Sequence, residues 1–178
     1  MDILLQKIQD SDQDALKEFY QLHFFKLYQF AYSFVHSKEA SEEIVNDVFL
    51  AVWQKKHTLS TINNIQVYLY VSVKNASLNY LRKNNLFTPV SIDDLNVDHF
   101  PLVADPELLL SQRELQQQIR EAIEQLPPRC RLIFKLVKED GLSYKQVAAI
   151  LDISTKTVDS QLCLALKKLA AILQAIHI

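Results

Sequence analysis

The chain has 178 residues, a formal net charge of −2 at pH 7 and a single glycine, Gly141. Sheets joined by hairpins and phosphate-binding loops both depend on glycine, so the composition predicts an all-α protein and excludes Walker and dinucleotide-binding loops. No stretch approaches the roughly 20 consecutive apolar residues that a membrane span needs, and the acidic N-terminus does not resemble a signal peptide. We therefore expect a soluble, cytoplasmic protein with no direct membrane insertion.

Charge is distributed unevenly along the chain. Residues 1–85 hold nine basic and nine acidic side chains, whereas residues 86–110 hold five acids and no Lys or Arg. Residues 111–178 are mildly basic, with ten Lys or Arg and seven acids. Affinity for DNA depends mainly on the neutralisation of phosphates, so this small excess predicts weak binding of free DNA by the chain alone.

No catalytic or metal-binding arrangement is predicted. The two cysteines, Cys130 and Cys163, and the five histidines have no metal-ligand spacing, and the cysteines are expected to be reduced core residues. His23 lies within an apolar stripe and is expected to be a hydrogen-bonded core histidine. We therefore expect no cofactor and no enzymatic activity.

Three long helices are predicted in the first 85 residues, after a short amphipathic start at residues 2–9. The first is expected to be capped by Ser11, the second covers residues 41–56, and the third begins at Ile65. Apolar side chains at helical spacing predict the core face of the first two helices: Leu16, Phe19, Tyr20, Leu27, Ala31 and Phe34, then Ile44, Val45, Val48, Phe49, Val52 and Trp53.

A surface rich in amides and hydroxyls is predicted around residues 57–64, HTLSTINN, and the third helix. Tyr68 and Tyr70 are expected to add aromatic surfaces there, and a groove of this kind suits the unstacked bases of single-stranded nucleic acid. The alternative is a soluble helix with a solvated basic face. The polar side chains on this helix are Lys74, Asn75, Asn79, Arg82 and Lys83.

Residues 86–105 break the helical periodicity and contain Pro89 and Pro101, which predicts an acidic linker between two domains. Asp105 and Pro106 are expected to restart the helical structure as N-cap and first helical residue. Four helices follow, and the second of them is expected to have a cationic side formed by Arg129, Arg131, Lys135 and Lys138.

The last two helices have the pattern of a helix-turn-helix. Ser143 and Gln146 have the spacing of a capping box, residues 152–154 form the turn, and Ser154 is a natural N-cap. The second helix then combines a predicted buried stripe (Val158, Leu162, Ala165, Leu166, Leu169) with a polar face (Lys156, Thr157, Ser160, Gln161, Lys167). Short polar and cationic groups on such a face suit phosphates and base edges, although an ordinary helical hairpin has the same periodicity.

The order of these blocks resembles an extracytoplasmic-function (ECF) sigma factor, the small two-domain specificity subunit of bacterial RNA polymerase. The resemblance is carried by EEIVNDVFLAVW at 42–53, VYLYVSVKNASLNYLR at 67–82, and IEQLPPRCRLIFKLVKEDGLSYKQVAAILDISTKTVDSQLCLALKKL at 123–169. It implies an N-terminal domain at 1–85, a linker at 86–105 and a C-terminal domain at 106–178.

The resemblance also implies roles for particular residues. Docking on core RNA polymerase would fall to Asn46, Asp47 and Leu50. The melted −10 promoter strand would be read by Ser60, Thr61, Asn63, Asn64, Lys74, Asn75 and Asn79. The −35 element would be read by Lys145, Thr155, Lys156, Thr157, Ser160 and Gln161. The expected partners are core RNA polymerase, promoter DNA and an anti-sigma factor, which in this family is often anchored in a membrane.

The chain departs from the usual family pattern at several positions. Asp159, Gln161 and Cys163 stand in the recognition helix where many members have basic residues, and Val71 replaces a common arginine. Contacts to the DNA backbone are therefore expected from Arg129, Arg131 and Lys145. Two other functional classes stay open at this stage: a stand-alone helix-turn-helix regulator with a sensing or dimerising N-terminal domain, and a protein–protein adaptor without a DNA role.

Overall fold

The computed structural model describes residues 2–84 and 110–176, which belong to two separate compact units. All regular structure in these residues is helical, as the composition predicts. The first unit contains α1 (Asp2–Gln9), α2 (Gln13–Val35), α3 (Lys38–Gln54), a 3-10 helix (Lys56–Thr61) and α4 (Ile65–Lys83). The second contains α5 (Leu110–Glu124), α6 (Pro128–Lys138), α7 (Tyr144–Leu151) and α8 (Thr155–Ile176). The predicted linker and the restart at Asp105 and Pro106 lie outside the described residues.

The core of the first unit forms where α2, α3 and α4 pack together, and α1 closes it against α2 and the 3-10 helix. Phe19 packs edge-on against Phe49 at 5.9 Å between ring centroids, and Phe30 packs against Tyr70 at 5.0 Å. Aromatic pairs in this geometry add to the stability that their burial provides. Phe19 and Phe30 thus join the long second helix to α3 and α4.

The start of α2 differs from the prediction. Asp12, not Ser11, is the N-cap, and its carboxylate accepts a hydrogen bond of 3.0 Å from the amide of Ala15. Ser11 has a φ of 69°, so its backbone turns the chain between α1 and α2 instead of adopting the extended conformation that an N-cap needs. The amide of Asp12 bonds to the carbonyl of Lys7, which holds this turn closed.

In the second unit α8 packs against α5, α6 and α7. A small apolar cluster joins α5 and α6 to α8 through Ala122, Leu126, Cys130, Ala165 and Leu169. The four-helix C-terminal domain predicted from the sequence is therefore present. Gly141 ends the α6 segment at a φ of 74°, a conformation that favours glycine, and allows the amide of Leu142 to bond back to Leu136.

Several side chains lie differently from the predictions. Arg131 and Lys135 of the expected cationic side are buried, because α6 turns that side toward the end of α5. Leu166 is 44% exposed, since it lies one residue beyond the buried position Ala165. Cys163 is also exposed, and both cysteines are free thiols.

The described residues contain neither a candidate membrane span nor a candidate metal site. Within 2–84 and 110–176, no helix is long and apolar enough to cross a membrane. The same part of the chain contains no group of three or more His, Cys, Asp or Glu side chains that could hold a metal ion.

Candidate nucleic-acid and protein interfaces

The helix-turn-helix is fixed by side-chain caps at both of its helices. The hydroxyl of Ser143 accepts a hydrogen bond from the amide of Gln146, whose side-chain oxygen accepts one from the Ser143 amide at 2.7 Å. Asp152 ends α7 in the left-handed conformation, and Ser154 caps α8 by accepting from the Thr157 amide at 3.0 Å. The predicted capping box and N-cap are both confirmed, and the direction in which α8 leaves the turn is closely defined.

The polar face of α8 is largely exposed. Thr155, Lys156 and Ser160 are exposed, and Val158 on the opposite side is fully buried. The Ser160 hydroxyl donates to the carbonyl of Lys156 at 2.9 Å, so its oxygen can still accept a hydrogen bond. The Lys145 side chain is exposed in the first turn of α7.

Two members of this face are partly committed to the protein itself. The Thr157 hydroxyl shares a hydrogen bond of 2.8 Å with Ser154. Gln161 is half-buried, and its side-chain oxygen accepts a hydrogen bond from the buried thiol of Cys130 in α6. The sequence offered no signal for the second contact, because the two residues are 31 positions apart.

The predicted single-strand site in the first unit is an ordered 3-10 turn and not an open loop. Leu59 anchors it in the core, and the hydroxyl of Thr61 donates to the carbonyl of Thr58 at 2.7 Å. Ser60, Thr61 and Asn63 are exposed. Asn64 is exposed too, but its side-chain oxygen caps α4 by accepting from the Val67 amide at 3.0 Å.

The polar side of α4 continues this surface. Asn75 and Asn79 are exposed, and Lys74 is half-buried. The side-chain oxygen of Asn79 accepts a hydrogen bond of 3.3 Å from Arg82, which leaves its amide hydrogens for other partners. The spacing of Asn75 and Asn79, four residues apart, places them on one face of α4.

The aromatic contribution to this surface is smaller than predicted. Tyr70 is buried against Phe30 and is not part of the groove, whereas Tyr68 is half-buried. A further aromatic group comes from Trp53, where the ammonium of Lys56 lies 4.5 Å from the ring centroid. Such a cation–π contact holds the 3-10 turn against the end of α3.

The residues predicted for polymerase docking share an exposed face of α3. Leu50 is 54% exposed, and Asp47 is also exposed. The side-chain oxygen of Asn46 accepts a hydrogen bond of 2.9 Å from the hydroxyl of Tyr20 on α2, so it is held in one orientation. Burial, and then the charge of Glu42, raises the pKa of Tyr20, which keeps this hydroxyl protonated as a donor.

A shallow groove of about 350 Å³ runs beside this face. It is lined mostly by apolar surface from α2 and α3, and its main side chains are Leu16, Tyr20, Phe49, Leu50 and Trp53. We call it the α2–α3 groove. Leu16, Tyr20 and Trp53 are predicted core residues from their helical spacing, whereas they are half-buried at the edge of the core. Each of these residues lies at the margin of its apolar stripe, and this position in the sequence pattern could have identified them as edge residues.

Family models match both units. The model described as Sigma-70 region 2 matches residues 19–87, and that described as Sigma-70 region 4 matches residues 116–169. The first match contains α3, the 3-10 turn and α4, and the second contains the helix-turn-helix.

Similar proteins match about nine-tenths of the chain. The ECF RNA polymerase sigma-E factor of Escherichia coli (strain K12) is 26% identical over 167 residues, which cover 90% of this chain and 87% of that protein. The ECF RNA polymerase sigma factor SigW of Bacillus subtilis (strain 168) is 24% identical and covers 89% of this chain and 88% of its own length.

A solved structure shares the fold. CnrH, in complex with the cytosolic domain of CnrY, aligns with a TM-score of 0.57 over 97% of this chain and 96% of that chain, at 21% identity. Sigma-70 regions 2 and 4 imply promoter-specific initiation of transcription, and sigma factors are regulators of transcription rather than enzymes. With both regions present in order and relatives matched over nearly its full length, the chain belongs to the ECF-type sigma factors.

Proposed function

We propose that the chain directs core RNA polymerase to promoters by reading the −35 element with α8 and the melted −10 strand with the first unit. The observation that carries the proposal is the doubly capped helix-turn-helix, with Lys156 and Ser160 exposed on the outer face of α8. A helix held at a defined angle with polar groups on its outer face suits the major groove. We place Lys145 and Thr155 beside the phosphates, near the N-termini of α7 and α8.

The first unit is proposed to hold unstacked bases of the −10 strand. Ser60, Thr61 and Asn63 offer donors and acceptors on the ordered 3-10 turn, and Asn75 and Asn79 extend this chemistry along α4. Because the Asn64 oxygen already caps α4, we assign that residue mainly to positioning the turn. Amides on a rigid surface suit the edges of bases that have left the stack.

Docking on core RNA polymerase is proposed to use Asn46, Asp47 and Leu50. An exposed leucine beside an apolar groove, one turn from the oriented side chain of Asn46, supports the assignment of this face to a protein interface. Tethering two weak DNA-binding units to the polymerase raises their effective concentration at the promoter, so the holoenzyme binds tightly although the free chain does not. By analogy with CnrH, whose structure contains a bound domain of CnrY, we also propose an anti-sigma factor as a partner.

The proposal is tested by run-off transcription with purified core RNA polymerase on fragments of the source genome. We expect start sites that appear only when the chain is added. Asn75→Ala and Asn63→Ala are expected to reduce opening of these promoters, whereas Lys156→Ala reduces promoter binding. If transcription is unchanged by the chain and the chain alone selects a palindromic site, it is instead a stand-alone regulator.

Docking has a matched pair of variants. Leu50 on α3 and Leu22 on α2 are exposed to nearly the same extent, 54% and 56%. We expect Leu50→Asp to abolish co-migration with core RNA polymerase and Leu22→Asp to retain it. Equal effects of the two substitutions would contradict the assignment of the α3 face to docking.

A further inference from the structure

The contact between Cys130 and Gln161 joins the recognition helix to the core of its own unit. Cys130 lies in α6, is 1% exposed, and donates its thiol hydrogen to the Gln161 oxygen. Gln161 lies on α8 two turns beyond the Ser154 cap, among residues proposed to face the −35 element. The buried thiol of Cys130 is therefore in direct contact with a residue proposed to read the −35 element.

The chemistry of the thiol determines which end of the amide faces inward. A protonated thiol is a hydrogen-bond donor and only a weak acceptor, so the amide oxygen and not the NH2 group is the matching partner. Burial raises the pKa of the Cys130 thiol, outweighing the opposing charges of Lys168 and Arg129, which keeps the sulfur protonated near neutral pH. The NH2 group of Gln161 is then the end of the side chain available to an outside partner.

We propose that Cys130 is a positioning residue that holds the Gln161 oxygen inward and turns its NH2 group toward DNA, so that the −35 position it contacts is selected for guanine over adenine. Guanine presents two acceptors, N7 and O6, in the major groove, so an NH2 group that faces this edge can donate to either atom. Adenine presents one acceptor and one donor, and a glutamine pairs with it through oxygen and nitrogen together. Because the Gln161 oxygen is held inward by Cys130, its hydrogen bond to the adenine amino group is weakened. This inference rests on the proposed function.

The test uses the holoenzyme, made from the full chain and core RNA polymerase, and a promoter library randomised in the −35 element. Transcripts are sequenced to give the base preference at every position. Gln161→Ala identifies the position that the side chain reads, because preference is lost there and kept elsewhere. At that position we expect wild-type holoenzyme to favour guanine.

The Cys130 variants then separate the hydrogen bond from packing. We expect Cys130→Ala to raise the adenine-to-guanine ratio at the Gln161 position by about two- to fivefold, the effect of one weak hydrogen bond, and to leave the other positions unchanged. Cys130→Ser retains a donor and is expected to preserve the wild-type ratio. Cys163→Ala removes the exposed thiol of the same unit and serves as the matched control.

Three outcomes would overturn the inference alone while wild-type holoenzyme still selects promoters. These are a wild-type preference for adenine at the Gln161 position, a serine variant that behaves like the alanine variant, and an unchanged ratio in Cys130→Ala. If wild-type holoenzyme selects no promoter from the library, the proposed function itself fails, and this inference fails with it.

Discussion

The two units bury polar side chains in different ways. In the first unit two buried serines bond within their own helix region, Ser33 to Phe30 and Ser41 to Ser37, at 2.7 Å and 2.6 Å, and the buried hydroxyl of Ser77 has no partner among the described residues. In the second unit α6 buries two cations, and Arg131 donates to the carbonyls of Glu124 and Leu126 at the end of α5. The serine bonds hold each side chain to its own helix, whereas the Arg131 bonds join α6 to the end of α5.

This difference also bears on DNA binding. Residues 111–178 hold ten basic side chains, but Arg131 and Lys135 face the interior and are withdrawn from the phosphates. The expectation that Arg131 contacts the DNA backbone is therefore wrong. The second unit offers DNA less positive charge than its sequence indicates, which strengthens the case for binding as part of the holoenzyme.

The largest expected effect is at Arg131. Replacing Arg131 by Met removes the donor from two carbonyls at the end of α5, so we expect the free energy of unfolding of the second unit to fall by about 2–4 kcal/mol. Urea titrations followed by methyl NMR signals of this unit measure the change. Lys138→Met, on an exposed position of the same helix, should change it by less than about 0.5 kcal/mol. Similar losses in both variants would show that the carbonyl contacts contribute little.

Lys135→Met is expected to have a smaller effect of opposite sign. Burial lowers the pKa of Lys135 to about 8, against the opposing charge of Glu139, so folding favours its neutral form. The unfolded chain keeps its proton up to about pH 10.4, and the stability of the second unit should therefore rise between about pH 8 and pH 10. At pH 7 the variant should be more stable by about 1–3 kcal/mol.

The pH profile is the more discriminating readout for this variant. The difference in free energy of unfolding between wild type and Lys135→Met should narrow as the pH rises from about 8 to about 10. The free energy of unfolding of Lys138→Met should follow the same pH dependence as that of the wild type. A constant gap would mean that the charge of Lys135 is equally favourable in the folded and unfolded chains.

The smallest predicted effect is at His23 in the first unit. Its Nε2 atom has no hydrogen-bond partner among the described residues, and its pKa is lowered by burial and then by the charge of Lys26. His23→Phe keeps the aromatic contact with Phe19 and removes the unsatisfied nitrogen, so we expect a gain of about 0.5–1 kcal/mol at pH 7.

Acid conditions should enlarge that gain. The wild-type unit should lose stability as the pH falls below about 6.5, because the unfolded histidine binds a proton first, and His23→Phe should not. Urea unfolding followed by the fluorescence of Trp53 measures the free energy of unfolding of wild type and variant at each pH. The exposed His57, replaced by Gln, is the control. If wild type and His23→Phe lose stability equally as the pH falls, burial of a neutral His23 is not the cause of the acid destabilisation.

Sequence reasoning succeeded where the determining contacts are local. The caps of α7 and α8 and the buried stripe at Val158, Leu162, Ala165 and Leu169 depend on spacings of three and four residues, which can be counted in the sequence. It failed where the partner is distant. Nothing near Arg131 indicates that its guanidinium turns toward Glu124 and Leu126, and nothing near Asn46 indicates Tyr20, 26 residues earlier.

The edges of helical faces were the other source of error. Periodicity defines the centre of an apolar stripe, but residues at its margin can turn inward or outward according to the neighbouring helix. Tyr70 turned inward against Phe30, while Leu166 remained at the surface. A predicted site residue is available to DNA only if its side chain is not already bonded within the protein. The side-chain oxygen of Asn64 caps α4, and only the structure shows this bond.

Trp53 is the only tryptophan in the chain, and it lines the α2–α3 groove beside Leu50. Its indole is half-buried and lies against the ammonium of Lys56, so any protein that covers the groove would change the polarity around it. Because the chain has no other indole, selective excitation would report occupancy of this one face directly for a partner segment that lacks tryptophan. The unlabelled protein thus has a built-in optical reporter for distinguishing partners that dock on α3 from those that bind only the second unit.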